Sequence, residues 1–485
     1  MRWSIRLAAV PILLLCSIAS QATAQVVLWV GDASDPGGVT AQKPWLSTFW
    51  STGAPPTGGF NGAGQATGQD ARINNGGHVL IDASQTVGTP TPNLFTGTGF
   101  VVLGAATGDS GFLEMTGGTL VTAFDIRIGG NTATAAGTGV FDQSGGVVHM
   151  NGGNLNVGQG VVPATAVHGV GTYNLSGGSF TERSGNIVAI GNRGNGTVNQ
   201  SGGDFYLMAL NNANVNNAVL QLGRLATTAT KSSSGTYNLS GGRVVVANTQ
   251  FGNGSPAGGV GPHVANTPTT SPTDGPSINT FSLAGGLLMT DTIGTFNNFV
   301  NLVDPTKSTV NTFNMTGGTL TAESIGMSIT NNGGTLAPAT LDFTPTGMPE
   351  NIDNFIAART QPVGITAFSG TNSYTQTATG TLAIDLVSQT SFDQLVLNSG
   401  TATLDGTLAL TVHDGFVGNT GDYYQVVVGG TAGTFATVTG NDLGGGLKLN
   451  KTTDITGIYL LVALPGCRFE QNSGLPRLGR AAQQF

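Results

Sequence analysis

Charge is scarce in this chain. Asp, Glu, Lys and Arg make up 9% of its 485 residues, against roughly 25% in ordinary soluble domains. Lys and Arg are sparse and form no basic patch, which excludes the electrostatic footprint of a nucleic-acid partner. The net charge of −8 is small for the length, so the high-net-charge route to disorder is closed. Cysteine is nearly absent: Cys16 and Cys467 are the 2 present. A leader that carries off Cys16 leaves no intramolecular disulfide, which excludes a small disulfide-stapled module. Long apolar runs are missing beyond the N-terminus, so no helix is expected to span a bilayer.

Glycine is abundant, at 77 residues, and it falls in register with apolar residues. A phrase returns seven times: an apolar or aromatic residue, a polar one, an apolar residue or Gln, a small residue, then Gly-Gly. The copies run over 111–120, 139–148, 171–180, 196–205, 235–244, 279–288 and 311–320. Their Gly-Gly pairs begin at Gly117, Gly145, Gly177, Gly202, Gly241, Gly285 and Gly317. A unit that returns with its turn intact marks a repeat architecture. The spacing of 25 to 44 residues suits one turn of a β-solenoid, with loops in the longer steps around 223–235 and 252–274.

Within each copy the period is two. Tyr173 and Leu175 share the inner face, and Asn174 takes the outer one. The equivalent inner pairs are Leu113/Met115, Phe141/Gln143, Val198/Gln200, Tyr237/Leu239, Phe281/Leu283 and Phe313/Met315. Inner Gln143 and Gln200 are expected to find internal hydrogen bonds. An acid at Tyr173 or Leu175 should cost far more than one at Asn174. A second short strand often follows and ends in Gly, as in 126–129, 155–158, 187–191 and 220–223. Stacked neighbours would turn these faces into one continuous core.

The flanks read differently. Arg2 and Arg6, the apolar run Leu7–Ile18 and the small residues Ala22-Thr23-Ala24 form a secretory signal over 1–24. Cys16 follows leucines, not the small residue a lipobox needs. Residues 25–110 read as an N-terminal cap with irregular first turns. Three of the four tryptophans lie there: Trp29, Trp45 and Trp50. Packing of the cap is their expected role, and a platform for stacking sugars is the alternative. The repeat proper covers 111–330.

From 331 to 464 a further set of phrases appears: Gly333-Gly334-Thr335-Leu336-Ala337-Pro338, Tyr374-Thr375-Gln376, Gly380–Leu386, Phe392–Leu397, Ala402–Leu410, Gly421–Val427 and Gly433–Ala436. Their order resembles the end of autotransporter passenger domains and the autotransporter-associated β-strand repeat family. It is similar also to exported proteins with C-terminal sorting tails. The resemblance implies an all-β fold, a right-handed parallel β-helix with a β-rich C-terminal cap, in a bacterial exported protein. Only 21 residues follow Leu464, too few for a translocator barrel. The tail, 465–485, does not continue the pattern and has neither the apolar helix nor the basic end of a sorting anchor.

Chemistry-bearing residues do not fall into a motif. A glycan-cleaving β-helix needs converging carboxylates. The outer column reads Glu114, Asp142, Asn174, Asn199, Asn238, Ser282 and Asn314, an acidic pair that becomes an Asn ladder. Asp125, Glu182, Asp204 and Asp291 follow their Gly-Gly turns at differing offsets. His78, His149, His168, His263 and His413 lack metal-ligand spacing, and His149 with Asp142 is the one pairing among them. Neither a phosphate loop nor a calcium nonapeptide repeat is present. Asn174, Asn195, Asn238 and Asn314 match the glycosylation pattern as a by-product of the repeat. No catalytic, cofactor or metal residue is assigned. The expectation is an exported, non-catalytic solenoid with a structural, adhesive or matrix role, meeting surface polysaccharide or protein. The alternative is a polysaccharide lyase or hydrolase.

Overall fold

The computed structural model describes residues 26–28, 43–46, 50, 69–87, 98–131, 135–160, 168–183, 185–207, 218–225, 233–252, 277–295, 309–343, 352–357, 360–454 and 456–464. The signal expected over 1–24, Trp29, His263, Cys467, the tail and most of the two long loops lie outside them. The fold is all-β: 67% of it is strand, with parallel strands in a closed ring, and the one helix among the described residues is α1 (Ile352–Ala357).

Each repeat supplies three strand segments, and like pairs with like. The phrase forms the first, the residues after Gly-Gly the second, and the short apolar run the third. On the first face Leu113, Phe141, Tyr173, Val198, Tyr237, Phe281 and Phe313 stand in one register column. On the third, Ile126, Leu155, Val188, Leu220 and Thr249 do the same. Alternation sends every second residue inward, so the columns merge into one buried cluster running from Val27 to Val462.

The Gly-Gly turns lie on one another. A Cβ on Gly177 would stand 2.4 Å from the carbonyl oxygen of Ser144 in the preceding turn, and one on Gly285 would stand 2.1 Å from that of Ser240. The second glycine also takes a left-handed φ, +76° at Gly178. Only a residue without Cβ meets both demands.

Aromatic rings fill the first-face column. Phe141 stacks on Tyr173 at 4.9 Å, Tyr237 on Phe281 at 5.0 Å, and Phe281 on Phe313 at 5.3 Å. Val198 interrupts the column, and Phe205 contacts both Tyr173 and Tyr237 across the gap. The two tyrosines of this column have matched partners. Tyr173 donates its hydroxyl to Gln143 Oε1 at 2.5 Å, and Tyr237 donates to Gln200 Oε1 at 2.5 Å. Each glutamine amide then donates to backbone carbonyls, Gln143 to Gly146 and Ser179, and Gln200 to Gly203 and Arg243. Where a copy ends its inner pair with Gln, the next begins with Tyr; where it ends apolar, the next begins with Phe or Val. Gln143→Leu is therefore expected to lower stability by about 2 kcal/mol, because the Tyr173 hydroxyl is left buried and unpaired. Adding Tyr173→Phe should restore most of the loss in a denaturant titration. A double variant no more stable than the single one would refute the pairing.

Parallel pairing continues across residue 330 without a break. Thr319, Thr335, Thr381, Thr407 and Thr437 form one column of the second face. After Thr437–Thr439 the chain turns back. Asp442–Gly444, Leu447–Asp454 and Gly457–Ala463 pair antiparallel with one another, and the last also pairs with Tyr423–Gly433. At the other end, 70–73, 77–81 and 86–87 already show the three-part order and pair with the strands that follow them. Trp45 and Trp50 are 0% and 1% exposed, and Trp50 Nε1 donates to the Trp45 carbonyl at 2.8 Å. Rings buried this deeply cannot stack on a sugar, so the platform reading fails for these two, and they pack the N-terminal end.

Candidate functional site

The outer column of the first face is a continuous polar feature that crosses seven repeats. Glu114, Asp142, Asn174, Asn199, Asn238, Ser282 and Asn314 stand in register. Three bonds in it point the same way. Asn238 Nδ2 donates to Asn199 Oδ1 at 2.9 Å, Asn199 Nδ2 to Asn174 Oδ1 at 2.8 Å, and Asn174 Nδ2 to Asp142 Oδ1 at 2.6 Å. The ladder thus ends on a carboxylate. Below it, His78 Nε2 lies 3.1 Å from Glu114 Oε2, its ring edge-on to Phe112.

Asn174 is less tolerant than its outer position alone implies. Asp at 174 would face the Asp142 oxygen that now accepts its amide. The Asn174→Asp variant is expected to lose roughly 1 kcal/mol near neutral pH, as like charges do when adjacent. The new acid's proton affinity is raised by Asp142 in the folded state. The loss should therefore grow as pH rises through the carboxylate range and vanish below it, as thermal melts at pH 3 and pH 7 would show.

The other carboxylates singled out by sequence serve separate local structures. Asp125 pairs with Arg127 at 2.8 Å and accepts the Asn154 N–H. Glu182 is buried and accepts the N–H groups of Gly185 and Asn186. Asp204 pairs with Arg243 at 2.7 Å, and Arg243 also reaches Asp353 on α1. Asp291 shares a hydrogen bond with Glu323, and burial, then the Glu323 charge, push the Asp291 carboxyl up to about 7. Asp393, likewise raised to about 7 by burial, accepts the Gly364 and Asp385 N–H groups at 2.6 and 2.8 Å. His413 stands 3.3 Å from Asp385.

Two of these partnerships were readable and missed. Arg243 lies two residues after its Gly-Gly start, as Asp204 does, and Glu323 lies six after, as Asp291 does. Comparing offsets between adjacent copies, instead of among the acids alone, finds both. His149 and Asp142 do not share a face: Asp142 is in register with Asn174, while His149 is across from Thr181 on the second face. Burial, with help from Arg183, lowers the His149 imidazole to about 4. Among the described residues, no group of three or more His, Cys, Asp or Glu could hold a metal ion. None of their helices is long and apolar enough to cross a membrane, which leaves a strand-built barrel untouched. No protein-family model matches the chain, and no curated protein matches it either.

Proposed function

We propose that this is an exported right-handed parallel β-helix, akin to the autotransporter-associated β-strand repeat proteins, which acts without catalysis through its long faces. Its role is adhesive or matrix-forming contact with extracellular polysaccharide or protein at the cell surface. The observation that carries the reading is the ladder from Asn238 to Asp142, a repeating, nearly uncharged polar column on a rigid stack. Repeated shallow contacts suit weak multivalent binding better than one reaction centre does. The leader supports export, and the order of phrases after 330 supports the kinship.

One observation favours the enzyme reading: Asp291 and Glu323 form a carboxylate pair, with Asp291 raised to about 7, as a general acid requires. The geometry weighs against it. Glycosidase carboxyls stand about 5 Å or more apart to admit the sugar, whereas these two are bonded to each other. Glu323 Oε1 is also taken by the Leu341 N–H.

The mature protein should retain neutral or acidic polysaccharide chains on an affinity column without shortening them. Reproducible cleavage that is lost in a folded Asp291→Asn, Glu114→Gln or Asp142→Asn variant would replace this reading with the enzyme.

A further inference from the structure

The stacked rings of the first-face column point inward, and Trp45 and Trp50 at the N-terminal end are buried. The C-terminal end differs. There Tyr423–Gly433 pairs with Gln394–Leu404 on one side and with Gly457–Ala463 on the other, and Gly457–Ala463 pairs in turn with Leu447–Asp454. Alternation in this sheet sends Tyr424, Leu449 and Leu460 into the buried cluster. The opposite set faces outward. It holds Tyr423, in register with Leu461, and Gln425, in register with Tyr459, which in turn stands across from Thr452.

Tyr423 is 55% exposed, and among the described side chains it is the one aromatic mostly open to water. Its ring lies 6.4 Å from that of Tyr459, inclined to it at 57°. Polar groups rim the pair. The Tyr459 hydroxyl lies 2.6 Å from Thr456 Oγ1, and Gln425 Nε2 donates to the Thr456 carbonyl at 2.9 Å. That bond fixes the Gln425 amide and leaves its Oε1 as an acceptor with no donor among the described residues. None of Tyr423, Gln425, Thr452, Thr456 and Tyr459 carries charge.

We propose that this outward face of the C-terminal sheet is a binding site for a neutral polysaccharide, with the Tyr423 and Tyr459 rings as its platform. The site rests on the reading of the protein as a polysaccharide contact, and it gives that contact one anchor in the fold. A pyranose has a face of C–H groups and a rim of hydroxyls. Tyrosine offers the matching combination, an apolar ring with a polar tip, and loses little freedom on binding. The C–H face would cover the Tyr423 ring and displace the water now on it. The hydroxyl rim would meet Gln425 Oε1 and the tyrosine hydroxyls. An acidic sugar would bury its carboxylate among groups that include no cation. Both tyrosines stand on strands paired on each side, which holds the rings in place before a ligand arrives.

Affinity electrophoresis of the full mature chain through gels holding dextran, laminarin, hydroxyethyl cellulose or polygalacturonate tests this. At least one neutral gel is expected to retard the protein more strongly than polygalacturonate does. Tyr423→Ala and Tyr459→Ala should each weaken that retention about ten-fold, as loss of a tyrosine anchor does. Their melting temperatures should stay near the wild type, because neither ring belongs to the buried cluster. Tyr423→Phe keeps the ring and should keep most of the retention. Tyr423→Ala decides the matter alone if Tyr459→Ala does not fold. Retention unchanged in both alanine variants would overturn this site and leave contact through the long faces standing. Retention by no gel would overturn both. Equal or stronger retention by polygalacturonate would overturn the neutral ligand, and equal loss in Tyr423→Phe and Tyr423→Ala would overturn the ring platform.

Discussion

Leu175→Asp is expected to destabilise the protein by about 4 kcal/mol or more, enough to abolish folding of the surrounding turns. Leu175 is fully buried, with Gln143 below it and Gln200 above in the same inner column. The neighbouring glutamines are already committed to Tyr173, Tyr237 and backbone carbonyls. An aspartate there has no cation to pair with and must either bury a charge or take up a proton far above its usual range. Tyr173→Asp should be comparably damaging, since it also breaks the ring stack and strands Gln143. Urea titrations that put either variant within 1 kcal/mol of Asn174→Asp would show that the inner and outer faces are misassigned.

Gly178→Ala should cost about 3 kcal/mol, a large loss for one methyl group. The left-handed φ of +76° alone costs an alanine about 1 kcal/mol. The larger part is steric, because the new Cβ would stand 2.3 Å from the Gly146 carbonyl oxygen, itself held by the turn below. Relief requires two turns to separate along the stack, which strains the bonds on either side. Gly108→Ala makes a clean control. Its φ is also positive, at +83°, but no atom lies within 4 Å of the added carbon. If both alanine variants melt alike, backbone strain rather than stacked turns accounts for the glycines.

The stacked part of the fold was legible because two signals coincide in it. Side-chain alternation names the inward residues, and Gly-Gly fixes where each turn bends, so pairs such as Tyr173 with Phe141 follow from aligning the copies. Past 330 the Gly-Gly signal fades while the pairing persists. What carries it there is a weaker phrase, Thr335-Leu336, Thr381-Leu382 and Thr407-Leu408, each a threonine outward and a leucine inward. Fold-back of the 337–343 arm and α1 was not legible. Its contacts join residues as far apart as Arg243 and Asp353, and nothing local in either segment announces the other. The outer Asn ladder was legible as a column; its direction, with Asp142 as final acceptor, depends on amide orientations that only the assembled turns determine.

Stacking by nearest neighbours has a consequence for how the molecule melts. Each turn touches the one before it and the one after, so its free energy behaves as a chain of units joined by seams. The seams are unequal. Ring lies on ring between the copies holding Phe141 and Tyr173, and again where Phe180 stacks on Phe205, whereas the seam from the Val198 copy to the Tyr237 copy has no parallel stack and relies on Phe205 meeting Tyr237 edge-on. Heat should open such a chain first where coupling is weakest, leaving folded blocks on both sides. A calorimetric trace would then be a composite of block transitions, and a midpoint read from one probe would belong to the block that carries the probe.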